Sequence, residues 1–162
     1  MNRNMLALAM MATLLTSGIS LPAAGQTHQH MQMETAPQTR DTRQPVKFPS
    51  QLREHELANM RDHLSTLAQI QVALSKNAID EAASLAEKRL GMSSFELHGA
   101  HEVAKYMPKG MQEIGSEMHR AASRFALEAT NAGATGDIRP ALAALATVTQ
   151  QCVACHAAYR LK

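Results

Sequence analysis

Close to its C-terminus the chain reads Cys152-Val153-Ala154-Cys155-His156, and these two cysteines are the only ones it has. C-x-x-C-H is the spacing at which c-type haem is attached to protein. On a helix the two cysteines lie almost one turn apart on one face, so both thiols can form thioethers with the two vinyl groups of one porphyrin. His156 follows on the adjoining surface and can turn its imidazole under the ring to ligate iron. Other chemistries use the same residue types. A thioredoxin-like dithiol belongs beside a βαβ pattern, and no strand is predicted here. A zinc site needs a fourth ligand and usually a second clustered pair; His98 and His101 could supply one, though nothing in the spacing requires it. A disulfide between residues three apart closes too small a loop to stabilise the fold much. Haem attachment is the reading that best fits an exported chain with no other cysteine.

The rest of the chain has to position that motif. Of its 162 residues 45% are hydrophobic but only 3% aromatic, and there is no Trp. Strands draw on aromatic and β-branched residues, whereas the abundant Ala, Leu, Met, Gln and Glu form helices readily. The formal charge of +2 is too small to point to nucleic acid or a membrane surface. Residues 1–25 read as a cleavable signal peptide: Arg3 supplies the positive start, Met5 to Leu15 the apolar stretch, and Ala23-Ala24-Gly25 the small residues before a cut. Export places the thiols where they can be oxidised. Residues 26–49 read as a solvated, disordered leader. Its His28, His30, Met31 and Met33 could bind copper, although a plain polar tail accounts for them as well.

From residue 50 to 162 the spacing predicts four helical segments and no sheet, an all-α fold. Ser50 is placed to cap the first, whose apolar seam is Leu57, Met60, Leu64, Leu67 and Leu74, in alternating steps of three and four with Gln71 filling the one gap. Asn77 is placed to cap a second segment that Gly91 ends or kinks and Ser94 restarts toward Tyr106. Pro108-Lys109-Gly110 marks a turn into a third, with Met111, Ile114, Met118, Ala121 and Phe125 inside and a stop near Ala132-Gly133. Gly136-Asp137 opens the fourth, with Pro140 in its first turn and Leu142, Leu145, Thr149, Cys152, His156 and Tyr159 on its seam. Short connections make successive helices antiparallel neighbours, so an antiparallel up-down-up-down four-helix bundle is expected.

A C-x-x-C-H motif at the extreme C-terminus resembles the class II cytochromes c, particularly the cytochrome c′ family. The match runs from Cys152 through Arg160, including the aromatic-Arg pair Tyr159-Arg160. It extends to Arg53, Leu57, Met60 and Leu64, which resemble the family's Arg, distal, apolar and apolar positions. The likeness covers about residues 50 to 162, with a motif at each end. It implies one covalent haem c between the helices of a four-helix bundle, a periplasmic location, frequent homodimerisation and a five-coordinate iron. His156 is then the proximal ligand, and Arg160 lies near its imidazole or is simply a solvated cation at a helix end.

The distal side separates the functions. Leu57 at the family's sixth-site position cannot ligate iron and offers bound O₂ no hydrogen bond, which favours NO or CO. Met60, one helical step on, is core packing or, with the helix rotated, a sixth ligand of a low-spin electron carrier. His63 is a further candidate ligand. Surface exposure is nevertheless expected for His55, His63, His98, His101 and His119. The expectation is a non-enzymatic protein that exchanges electrons with redox partner proteins or binds a small gas, with no nucleic acid and no membrane in the mature form. A haem enzyme is less favoured, because no distal His with a polar partner can be assigned. An exported metal-binding protein centred on the His/Met leader is a third reading.

Overall fold

A computed structural model describes residues 40–162. The signal-peptide reading of residues 1–25 and the His/Met cluster of the leader lie outside the described residues. In chain order the elements are strand β1 (Gln44–Val46), helix α1 (Ser50–Ser75), helix α2 (Ile79–Arg89), a 3-10 turn (Met92–Ser94), helix α3 (Ala100–Ala104), helix α4 (Lys109–Thr135), helix α5 (Arg139–Ala158) and strand β2 (Tyr159–Leu161). The protein is mostly helical, as composition requires.

Prolines and left-handed residues punctuate it. Pro49 and Pro108 stand in extended backbone immediately before α1 and α4, where a missing N–H costs nothing. Ser50 is therefore the first helical residue of α1 and not its cap. Asn77 adopts φ 57° and closes the end of α1 rather than capping α2, a role the short polar side chain of Asn tolerates. Gly136, at φ 77°, ends α4. Asp137 accepts from the main-chain N–H of Arg139 (3.1 Å), so the start of α5 is held as Gly136-Asp137 suggests.

The second predicted segment divides. After α2 the chain makes the 3-10 turn, passes through Phe95 to Gly99, and resumes as helix only at Ala100, not at Ser94. Gly99 sits at φ 60°, and a Cβ there would lie 3.1 Å from His55 Nε2, so the break is fixed by both backbone and packing.

The core is alanine-rich. Ile70 and Phe125 are fully buried among Ala82, Ala86, Ala121, Ala122, Ala129 and Ala141, and such small side chains let helix backbones approach closely. α1 packs on α2, α2 on α4, and α4 most extensively on α5. No comparable packing joins α1 to α5 among the described residues. A second, smaller cluster of Val46, Phe48, Val103 and Met111 takes in Tyr159 and Leu161.

That cluster alters the leader boundary. Residues expected to be solvated up to 49 instead form β1, which pairs in parallel with β2 in the register Gln44–Tyr159, Pro45–Arg160, Val46–Leu161. Burial of Val46 and Phe48 supplies the driving force. Two short strands also form where none was expected, because the pairing joins distant chain segments that no local pattern reveals.

Two seams shift from their expected positions. On α1 the buried stripe is Glu56, Asn59, Thr66, Ile70 and Ala73, one residue ahead of the leucine seam. Leu67 and Leu74 still touch the core, while Leu57 and Met60 are half-buried and Leu64 is 69% exposed. On α5 the buried stripe is Ala141, Leu145 and Val148, leaving Leu142, Thr149 and His156 exposed. By length and composition α5 is apolar enough to cross a membrane, although that stripe packs into the helical core.

Candidate functional site

α5 delivers the motif. Continuing its buried stripe by steps of four and three from Val148 reaches Cys152 and then Cys155, so the helix that holds the core also turns both thiols inward. Both cysteines are half-buried and unpaired. Cys152 Sγ donates to the Val148 carbonyl at 3.5 Å and packs at the edge of the main core. Cys155 packs against the cluster containing Val46, Phe48 and Met111. Burial pushes both thiols up, and the nearby Glu56 carboxylate adds to the effect at Cys155.

A dithiol redox site needs its attacking thiol lowered toward neutrality, so this environment disfavours that alternative. The zinc alternative also loses a ligand, since His98 is engaged elsewhere in the interior and His101 is exposed.

His156 is exposed, and its hydrogen bond to Arg43 Nη1 (3.4 Å) runs through the main-chain carbonyl. The imidazole thus stands on the surface beside the two sulfurs. The donor set of two protonated, unpaired thiols and one uncommitted imidazole fits the attachment chemistry of a c-type haem. Apolar surface within the motif fits as well: Val153 is 63% exposed. Open depressions of about 510 and 470 Å³ lie around Ile79 and Gly133 and around Ala83 and Ser123, away from the motif.

The other expected site residues are distributed unevenly. Glu56, one residue before Leu57, lies close to Cys155, which sets the start of α1 beside the motif. Leu57 and Met60 are on that stretch but outside the buried stripe. Arg53 pairs with its neighbour Glu54 at 3.0 Å, and among the described residues it makes no side-chain hydrogen bond or ion pair to the motif. Arg160 lies in β2, beyond the helix end where a solvated cation was considered, with its Nε 3.4 Å from Asp41 Oδ2. Arg43 also holds Asp41, its hydrogen bonds being the largest of the effects that bring that carboxyl down to about 2.

Three residues expected at the surface prove to be interior. His98 and His119 are buried, and His63 is half-buried against them. Asn59 Nδ2 donates to the His98 carbonyl at 2.9 Å, and His55 Nε2 meets the same oxygen at 3.0 Å. His119 Nδ1 lies 2.7 Å from the Leu90 carbonyl and 3.3 Å from Ser94 Oγ. His55 and His101 are exposed, as expected.

Sequence reasoning missed this polar interior although its signal was present. Glu56, Asn59, His63, Thr66, Ile70 and Ala73 alternate steps of three and four just as the leucines do, and their polarity hid the stripe.

Comparison with family models, with curated proteins and with solved structures finds no match to this chain.

Proposed function

We propose that this chain is an exported, periplasmic c-type cytochrome carrying one covalent haem c, which transfers electrons to and from redox partner proteins or binds NO or CO at a five-coordinate iron. The observation that carries the reading is the pair of unpaired, half-buried thiols at Cys152 and Cys155 on one face of α5, with the exposed imidazole of His156 beside them. It is supported by the resemblance of both ends of the helical region to the cytochrome c′ family, and the antiparallel up-down-up-down four-helix bundle and homodimer belong to the same proposal.

Cys152 and Cys155 would hold the haem through thioether bonds, each S–H adding across one vinyl double bond so that no oxidant is needed. His156 would hold the iron through an imidazole lone pair, and the end of α5 is kept in place by β2 pairing with β1. Leu57, being aliphatic, would crowd the group without ligating it. Met60 would contribute apolar cover, or in the second reading a thioether ligand. Arg160, paired with Asp41, places a positive charge four residues beyond His156. A haem held there would supply one-electron redox chemistry and a binding place for a diatomic gas. Catalysis is not part of the proposal.

The test is expression in a host competent for haem maturation, followed by denaturing electrophoresis and mass analysis of the exported chain. A haem absorbance that stays with the polypeptide, and is lost in Cys152→Ser/Cys155→Ser, is expected; two unmodified thiols would refute the proposal. A high-spin spectrum that shifts on CO addition fits Leu57 on the distal side. A low-spin spectrum abolished by Met60→Ala establishes the six-coordinate form instead.

A further inference from the structure

Three imidazoles from three separate elements meet in the interior: His63 of α1, His98 of the turn following the 3-10 segment, and His119 of α4. Their ring centroids are 4.5, 5.6 and 5.9 Å apart, and His98 and His119 are only 5% and 8% exposed. A buried imidazole ordinarily has partners for its nitrogens, and here one ring nitrogen, His98 Nε2, has none. A carbonyl only accepts, so the 2.7 Å approach of His119 Nδ1 to Leu90 puts the proton on Nδ1 and leaves the lone pair on Nε2. His98 Nε2 is buried with no hydrogen-bond partner, the carboxylate of Asp62 standing 3.9 Å away. His98 Nδ1 faces His63 Nε2 at 3.4 Å. Two nitrogens bound to one tetrahedral zinc at about 2.0–2.1 Å are themselves roughly 3.4 Å apart.

We propose that His63 Nε2, His98 Nδ1 and His119 Nε2 form a three-imidazole site for a divalent transition-metal ion, zinc in the first instance, with a fourth position left for water. Imidazole nitrogen suits this class of ion. Burial favours the neutral, metal-binding form of all three rings, bringing His63 down to about 3 and His98 to about 4. Metal-bound imidazoles fix their far nitrogens on carbonyls or carboxylates: a main-chain carbonyl already serves His119, and the Asp62 carboxylate, itself paired with Arg89, stands 3.9 Å from His98 Nε2, a gap that binding would have to close. Among the described residues no group of three His, Cys, Asp or Glu side chains is already arranged to hold a metal ion. Binding must therefore draw the rings together. Tetrahedral coordination through nitrogen separates ring centroids by about 5 Å, which is a small adjustment from the distances here. The site uses none of Cys152, Cys155 and His156, and it stands or falls separately from the haem reading.

The test titrates zinc chloride alone into the full mature chain as isolated and freed of metal by a chelator, in a His28→Gln/His30→Gln background that removes the leader's imidazoles. One zinc per chain, a raised unfolding temperature with zinc, and the intense visible bands of four-coordinate cobalt on substitution are expected. His119→Gln should weaken binding by roughly 100-fold or more, and Asp62→Asn by about 10-fold, the low end of what an outer partner's loss costs. His63→Gln, at the cluster's rim, gives the same reading should His119→Gln fail to fold. No bound zinc, or zinc bound equally well by both histidine variants, would overturn the proposal.

Discussion

Glu56 shows how much a single side chain can alter the reading of a helix. It is buried on α1, near Cys155, with Asn59 Nδ2 3.5 Å from its carboxylate. Burial, the largest influence, raises its pKa above the ordinary value of 4.5. The folded state therefore holds its proton to higher pH than the unfolded chain does, and stability falls as pH rises from 4.5 through the raised value. Glu56→Gln removes this contribution. In denaturant melts from pH 4.5 to 8, the variant should gain stability relative to the wild type as pH rises; parallel curves would rule the effect out. The position was also the hardest to read from sequence. A Glu beside a good leucine seam looks solvent-facing, and only the tertiary structure shows it buried within electrostatic reach of Cys155.

At the scale of elements, α4 provides two glycines with opposite expectations. A Cβ on Gly110 would lie 2.7 Å from Tyr159 Oη, whereas one on Gly115 meets nothing within 4 Å. Gly110 thus leaves room for the tyrosine that follows α5 and packs with Val46 and Phe48. Gly110→Ala should cost about 1–3 kcal/mol through overpacking. Gly115→Ala should stabilise by about 0.5–1 kcal/mol through helix propensity. Thermal or denaturant unfolding of the two variants checks both signs, and equal behaviour would discard the close approach at Gly110. The starts of α4 and α5 were legible because Pro108, Gly136 and Pro140 are local signals, whereas α4 runs on to Thr135, past the stop expected near Ala132-Gly133. The β1–β2 pairing was not legible, since its strands are separated by nearly the whole helical region.

For the whole molecule the buried imidazoles govern the response to acid. His63 and His98 fall to about 3 and about 4 from an ordinary value of 6.5, burial being the largest cause for each. Below 6.5 the unfolded chain takes up protons that the folded protein refuses. Stability contributed by these groups is present above 6.5 and is lost as pH falls toward 4 and 3. Metal-free protein should therefore become easier to unfold across that window, and a His63→Gln/His98→Gln variant that remains folded should lose less of its stability there. A wild-type curve no steeper than the variant's would contradict this.

The amino-acid sequence by itself determined the helical class, most helix ends and the Cys-Cys-His triplet, because composition, proline and glycine positions and short spacings act within a few residues. Only the tertiary structure decided which stripe of α1 and α5 is buried, that residues 44–48 close over the end of α5, and that His63, His98 and His119 share one interior. Those outcomes depend on which surfaces meet across elements distant in the chain. Neighbouring stripes with the same period are equivalent until a partner covers one of them.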